Sequence, residues 1–383
     1  GSAIGVVGDT VFMFGGFGTA DGFSNALSSV SLTAPGGKWR VRHAGGRGPT
    51  PRAGHTITAV GCELWVFGGE CHKAVRKQVV RGNRLLCESR EILDELVVLN
   101  TETMRWRHPV STIRTLRKAP NRRSHTTTFL PHVGENGSLL VIGGMGPTSG
   151  LGAQEYKNDV HVFDMATQAW QQVGCGGAPP CIRANHTATL VEATGKVYVL
   201  GGRSTDPAPP TSAVPEASVS RTILQSVMSA SVSDLGPEFG GVYSTSDEDD
   251  GWASSSTLLF APPTVHCLDT VTWTWSVLDA TGDGPGQISG HSAHADAGGL
   301  PLVYVFGGQH ACGDLSRHTY VLDVSAGVWT ALTTRGPPMA PRFNHASTLW
   351  HDMVVVYGGC TLREYQAPGV MHLLKLPPVP PLP

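Results

Sequence analysis

The chain has 383 residues, 15% of them charged, with a formal net charge of −2 at pH 7. So even a balance with so few charges argues against bulk nucleic-acid binding, and 40% hydrophobic residues argue against a disordered chain. The longest apolar runs are strand-sized, so neither a membrane span nor a secretory signal is expected.

Length alone suggests two or three domains, but internal repetition makes one. Gly1-Ser2 resembles a cloning scar. Ser2 stands thirteen residues before Gly15, as His55 stands thirteen before Gly68, so the chain is expected to start at a corner, as if excised from a longer protein. The first unit, about 3–46, carries V-F-M-F before Gly15-Gly16 and then Trp39. The second, about 52–110, opens on Arg52-x-x-His55, runs L-W-V-F into Gly68-Gly69, and ends with Asn100 and Trp106. A basic connector, 107–123, leads to the third, about 122–176: Arg122-x-x-His125, L-L-V-I into Gly143-Gly144, then Asp164 and Trp170.

The fourth unit, about 183–280, has Arg183-x-x-His186, V-Y-V-L into Gly201-Gly202, then Asp269 and Trp275. The fifth, about 288–334, has His291 without an arginine, V-Y-V-F into Gly307-Gly308, then Asp323 and Trp329. Between these two units the double-glycine step is 106 residues, about twice the usual one. The excess is 204–263, rich in Ser, Pro and Ala with the acidic run Asp247-Glu248-Asp249-Asp250, and is expected to be a disordered insertion, with weak helical spacing over 219–232. The sixth unit, about 342–376, has Arg342-x-x-His345, V-V-V-Y into Gly358-Gly359, and M-H-L-L-K. Aligning M-H-L-L-K on V-H-V-F-D puts Lys375 at the acidic place and Pro381 at the tryptophan place. The last sheet is therefore expected to have three strands, with 377–383 a proline-rich tail that is a linker or a polyproline ligand.

Each mark has a physical cause. Four apolar, β-branched or aromatic residues bounded by turns read as a strand buried on both faces. Paired glycines at its end allow backbone angles closed to other residues and close backbone approach. The Asp/Asn-x5-Trp spacing suits a hairpin seeded by the acidic or amide side chain, whose indole then covers the gap to the next sheet. Four short strands per unit, at about 50 residues per period, is what a radial propeller requires.

With these marks in register, the sequence resembles the kelch-repeat β-propellers over nearly its whole length. The corner Arg-x-x-His, the double glycine and the fourth-strand Trp all match, in the variety where Thr or Ser follows the histidine. The resemblance implies an all-β, six-bladed propeller of four-stranded antiparallel blades, the last one short of its outer strand. It also implies a protein–protein interaction module, a scaffold recruiting a partner through one loop-decorated face. Alternatives that the family admits are an enzyme with a metal at the central opening, or the substrate receptor of a ubiquitin ligase. No helical region typical of the ligase adaptors precedes the repeats here.

If the strands alternate in direction, the long excursions 70–94, 145–158 and 204–263 and the connector 107–123 all emerge on one face, the candidate binding surface. That face carries a basic set: Lys73, Arg76, Lys77, Arg81 and Arg84 in one loop, and Arg114, Arg117, Lys118, Arg122 and Arg123 beside it. Such a patch attracts an acidic peptide; nucleic acid is disfavoured because no aromatics interleave the charges. The acidic run 247–250 is an expected internal competitor for it. The plain alternative is a pair of solvated loops.

No catalytic constellation, metal site or cofactor is expected. The corner histidines 55, 125, 186, 291 and 345 fall in different units and read as structural, each holding its own corner by hydrogen bonds, with Arg52, Arg183 and Arg342 as braces. Cys71-His72 with Cys87 is a weak zinc half-site, and Cys175 with Cys181 is a conceivable pair. Asp159-x-His161 and His310-x-Cys312 show no convergent partner. The eight cysteines contain no C-x-x-C, and free thiols in the cytoplasm, in a monomer, are the expectation.

Overall fold

The run before each double glycine is the best-buried strand of its sheet, because it has sheets packed on both faces. Leu64–Phe67, Leu139–Ile142, Val197–Val199 and Val303–Phe306 are all buried. The computed structural model describes residues 1–18, 21–34, 37–80, 83–109, 119–147, 154–205, 259–336, 339–361 and 371–376, without the side chains of 73–80 and 83–89.

These residues form a six-bladed β-propeller of small antiparallel sheets. Blade one is Ala3–Val7, Thr10–Phe14, Leu27–Ser31 and Arg40–Arg42; blade two is Thr56–Val60, Glu63–Phe67, Leu96–Asn100 and Arg105–Arg107. Blade three is Thr126–Leu130, Ser138–Pro147, Gln154–Asp164 and Ala169–Val173; blade four is Thr187–Val191, Lys196–Leu200, Val265–Asp269 and Thr274–Leu278. Blade five is Ser292–Ala295, Leu302–Phe306, Thr319–Asp323 and Val328–Leu332; blade six is Ala346–Trp350, Met353–Tyr357 and Met371–Lys375. The first strands of successive blades neighbour one another, and that of blade six returns to that of blade one, closing the ring.

The outer hairpins form as their spacing predicts. Asn100 Oδ1 accepts from the amide of Thr103 at 2.8 Å, Asp164 Oδ1 from Thr167 at 2.7 Å, Asp269 Oδ1 from Thr272 at 2.9 Å and Asp323 Oδ1 from Ala326 at 2.9 Å. The tryptophan that follows packs on the preceding blade. Trp106 lies 5.4 Å from Phe14, and Trp170 lies 4.7 Å from Phe67. Trp275 joins the core between blades three and four, and Trp329 that between four and five. At the seam Trp39 meets Tyr357 at 5.0 Å, Ile4 and Val11 pack with Val355, and Trp350 Nε1 donates to Asp9 Oδ1 at 3.1 Å. Among the described residues no strand is shared between the two termini.

Several segments depart from the four-stranded expectation. Blades four and five each gain a short parallel segment from the connector before them, Gly176–Gly177 beside Thr274–Trp275 and Thr281–Gly282 beside Val328–Trp329. The excursion after Gly69 is a β-hairpin instead of a loop, Glu70–Val80 paired with Asn83–Ile92; its V-V-R-G-N-R-L-L centre is a hairpin sequence. In blade three the central strands continue past Gly143-Gly144, pairing Gly144–Pro147 with Gln154–Lys157, where a loop was expected. The insertion is narrower than 204–263: Arg203–Ser204 pairs with Leu259–Phe260, and Ser204 and Ala261 are fully buried. Its interior, 206–258, lies outside the described residues, as do the acidic run 247–250 and the tail 377–383.

Candidate functional site

The corners gather at one end of the central opening, and their geometry follows from a left-handed residue in each. Gly54, Ser124, Asn185, Gly290 and Asn344, the residues before the corner histidines, have φ of 65°, 54°, 54°, 64° and 51°. That turn points each amide at the previous blade. Gly54 N–H donates to Gly1 O (3.1 Å), Ser124 to Gly54 (2.9 Å), Asn185 to Ser124 (3.0 Å), Gly290 to Asn185 (3.0 Å) and Asn344 to Gly290 (2.8 Å). The result is a collar of backbone hydrogen bonds running blade to blade around the axis.

A second tier uses side chains. His125 Nε2 meets Thr56 Oγ1 (3.1 Å), His186 meets Thr126 (3.3 Å), His291 meets Thr187 (2.9 Å) and His345 meets Ser292 (3.0 Å). Each hydroxyl belongs to the residue after the previous corner histidine. The corner histidines therefore tie neighbouring blades together, where they were expected to hold their own corners. Further along the same strands Thr58 Oγ1 donates to Thr127 O (3.4 Å), Thr128 to Ala188 (2.9 Å) and Thr189 to Ala293 (3.4 Å), and His294 pairs with Ser347 (2.8 Å). Burial holds His55, His125 and His345 down at about 3 and His291 at about 4, so all are neutral near pH 7.

The arginines brace within a blade. Arg52 Nη1 donates to Gly68 O (3.0 Å), Arg183 to Gly201 O (3.0 Å) and Arg342 to Gly358 O (2.9 Å), each guanidinium buried. Their carbonyls in turn accept from the second glycine of the preceding blade, Gly16, Gly144 and Gly308, all at 2.8 Å. Ile288 stands where blade five lacks its arginine, and its carbonyl still accepts from Gly202 at 2.8 Å. A Cβ on Gly69 would come within 2.7 Å of Ala53 O, which is why glycine is required there.

Within the collar lies a cavity of about 430 Å³, whose charged side chains are Glu70, Arg90 and Arg123. Arg123 Nη1 lies 3.4 Å and Arg90 Nη1 3.6 Å from Glu70 Oε1, while Arg123 Nε donates to Gln154 at 3.0 Å. Two guanidinium groups thus share one carboxylate. Phe17 and Phe23 line the same opening, 5.0 Å apart. Arg203, at the place in blade four that Glu70 holds in blade two, bonds Gln309 at 2.5 Å and lies 5.3 Å over Phe260.

Of the expected basic patch, Arg123 faces this cavity. Arg122 does not serve it: the side chain is buried and bonded to Asp159, so its charge is spent inside blade three. Asp159 also accepts from His161 at 2.9 Å; burial opposes its charge, but His161 and Arg122 hold the carboxyl below its usual range. The Arg122–Asp159–His161 set is the partner arrangement the sequence did not reveal. Lys73, Arg76, Lys77 and Arg84 fall on the hairpin, their side chains outside the described residues, and Arg81, Arg114, Arg117 and Lys118 lie outside altogether. Arg90, which the sequence reading passed over, was findable as the next basic residue along that excursion.

Of the remaining candidates, Cys87 falls on the hairpin with its side chain outside the described residues. Cys181 Sγ accepts from Arg183 at 3.3 Å, and Cys175 and Cys181 are free thiols, as are the other described cysteines. His72 packs on Phe23 at 4.8 Å. Among the described residues no three His, Cys, Asp or Glu side chains are grouped to hold a metal ion, and no helix is long and apolar enough to cross a membrane.

The family model for the KLHDC2/KLHL20/DRC7 Kelch-repeats domain matches residues 1–202 and 239–376. The chain belongs to the kelch-repeat family. Curated relatives of this kelch propeller include Multiple epidermal growth factor-like domains protein 8 of Homo sapiens, 28% identical over half of this chain and 6% of its own length. Host cell factor of Drosophila melanogaster is 28% identical over 51% of the chain and 12% of its own length. Acyl-CoA-binding domain-containing protein 4 of Arabidopsis thaliana is 25% identical over 84% of the chain and 37% of its own length. The chain spans less than half the length of each of these relatives. A solved structure titled "Structure of YjhT" superposes with a TM-score of 0.57 at 16% identity, covering 97% of this chain and 93% of that one, which shows the shared fold. Kelch propellers are, in general, protein-interaction modules and mainly non-enzymatic scaffolds.

Proposed function

We propose that this kelch propeller recruits a protein partner by docking an acidic peptide segment at the corner end of the central opening. The observation that carries this is the pair Arg90 and Arg123, set against the single carboxylate of Glu70 at the mouth of a preformed cavity. An anionic side chain arriving there competes with Glu70 for two guanidinium groups, in a rigid setting where little ordering cost remains. The hairpin after Gly69, the extension after Gly144 and the strand after Gly202 all leave the ring from this end, since Glu70, Met145 and Arg203 each bridge to the corner of their own blade. They give the partner a wall to lean on. Free thiols support a reducing compartment, the cytoplasm.

The test is fluorescence anisotropy with a labelled Asp/Glu-rich peptide and its Asn/Gln counterpart. The acidic peptide should bind at least about tenfold tighter, lose affinity with salt, and lose at least about fivefold against Arg90→Glu or Arg123→Glu. Equal binding of the two peptides would overturn the reading.

A further inference from the structure

The connector into blade five lacks a side-chain bracket that its counterparts carry. The parallel pairs fix the alignment, Gly177 beside Trp275 and Gly282 beside Trp329. Six residues on stand Arg183 in blade four and Ile288 in blade five, with Cys181 and Gly286 two residues before them. Blades two and four fill these two places with an arginine and its partner. Arg52 Nη2 donates to Thr50 Oγ1 at 3.0 Å, and Arg183 Nη2 donates to Cys181 Sγ at 3.3 Å. Blade five has neither, and a Cβ on Gly286 would meet nothing within 4 Å. Beside Gly286 and Ile288 lies a cavity of about 240 Å³ between blades four and five. Leu200, Ile288, Val305 and Trp329 wall it, all buried, while Gly282 and Gly286 on its lining are exposed.

His291, 6% exposed, also lines this cavity. Its Nε2 is taken by Thr187 at 2.9 Å, and its Nδ1 is buried with no hydrogen-bond partner. The corner histidines of blades two and three each feel a nearby arginine, Arg52 and Arg122; His291 does not, and burial alone keeps it neutral. A neutral imidazole carries one N–H and one lone pair, so either nitrogen is answered by a hydroxyl, which can both give and take.

We propose that this cavity is a binding site for a small phenol-class molecule, a single aromatic ring whose hydroxyl pairs with Nδ1 of His291. The volume argues for one ring: an apolar cavity of about 150 Å³ holds benzene, whereas drug-sized ligands occupy about 300 Å³ or more. The walls argue for an apolar ring, since Trp329 and the aliphatic chains around it offer flat, apolar contact. No charged side chain lines the cavity, so it has nothing to hold an anion. His291 is the one residue it shares with the axial cavity, and the two proposals stand or fall separately.

The experiment compares para-cresol with toluene on the whole chain, since the two differ by the hydroxyl alone. Calorimetry should show para-cresol binding at least about fivefold tighter, because toluene would leave the buried nitrogen unpaired. Nitrogen NMR should show the Nδ1 signal of His291 moving as para-cresol saturates, with those of His55 and His125 unmoved. Ala280→Leu, which fills the cavity from its wall, should abolish binding. Val277→Leu, at an exposed position of blade four, should leave binding unchanged. If Ala280→Leu does not fold, the ligand pair and the His291 signal decide on the parent chain. Absence of binding, equal affinities, an unmoved His291 signal, or binding that survives Ala280→Leu would overturn the proposal.

Discussion

Thr187 Oγ1 lies 2.9 Å from Nε2 of His291, 104 residues away in the next blade. The ring nitrogen is buried, so a valine at 187 keeps the shape but leaves Nε2 without a partner, at a cost of about 1–3 kcal/mol. Thr187→Val should lower the urea midpoint accordingly, and the imidazole nitrogen shifts of His291 in NMR should move. An unchanged midpoint would mean that the cross-blade pair adds nothing.

His55 is the exception in this tier. Its Nε2 has no protein partner, because the first residue of the first strand of blade one is Ala3 where blades two to five carry Thr or Ser. Ala3→Ser should supply the missing hydroxyl and raise stability by about 1 kcal/mol. The same change at Ala59, on a strand but remote from any corner, should be neutral or harmful.

The corner histidines predict an acid response. Their folded values lie at about 3 to 4, against about 6.5 in an unfolded chain, so between those limits the unfolded state binds protons that the folded state refuses. Stability from these groups is therefore complete above about pH 6.5 and falls as pH drops toward 4, by up to about 1.4 kcal/mol per pH unit for each histidine. Chemical denaturation at pH 5 and 7 checks this. His345→Gln, which keeps a donor for Ser292, should make the slope shallower by one proton.

Gly177 sits at φ 81°, and an added Cβ would fall 2.0 Å from the Trp275 carbonyl. Gly177→Ala should cost more than about 1 kcal/mol, through strain and loss of the parallel pairing to Thr274–Trp275. Gly174→Ala, three residues earlier with open space around its Cβ, should stay within about 0.5 kcal/mol of the parent. Equal midpoints for the two would contradict the geometry.

The ring was legible in the sequence because its marks are local. A double glycine, an acidic turn and a tryptophan six residues on each report on the strand that carries them. What stayed hidden lies between blades. The spacing that shows His186 and Thr126 to be corner residues does not show that they touch, since their partners are some sixty residues apart and meet only when the sheets stand side by side. The threonines of H-T-I-T, H-T-T-T and H-T-A-T were the available clue, alternate hydroxyls on one face of an inner strand. Arg122 shows the other limit: in sequence it is one more cation of a basic run, and only the placement of Asp159 two strands away turns it inward. The hairpin after Gly69 was missed because its charges outweighed its alternation.

Every backbone joint of the collar runs in one sense, and from blade two onward a histidine reaches back to a hydroxyl of the blade before. A repeat copied in tandem would bring both halves of the joint with it, so the circle could grow or shrink by whole units without leaving a mismatch. At the junction of the two chain ends that interchangeability stops. Ser2 and Ala346 occupy the matching places, and the bond from Trp350 to Asp9 stands in for the missing pair. Pulled apart by its ends, the circle would unlatch there first, and the other five junctions would be unzipped in turn from that one.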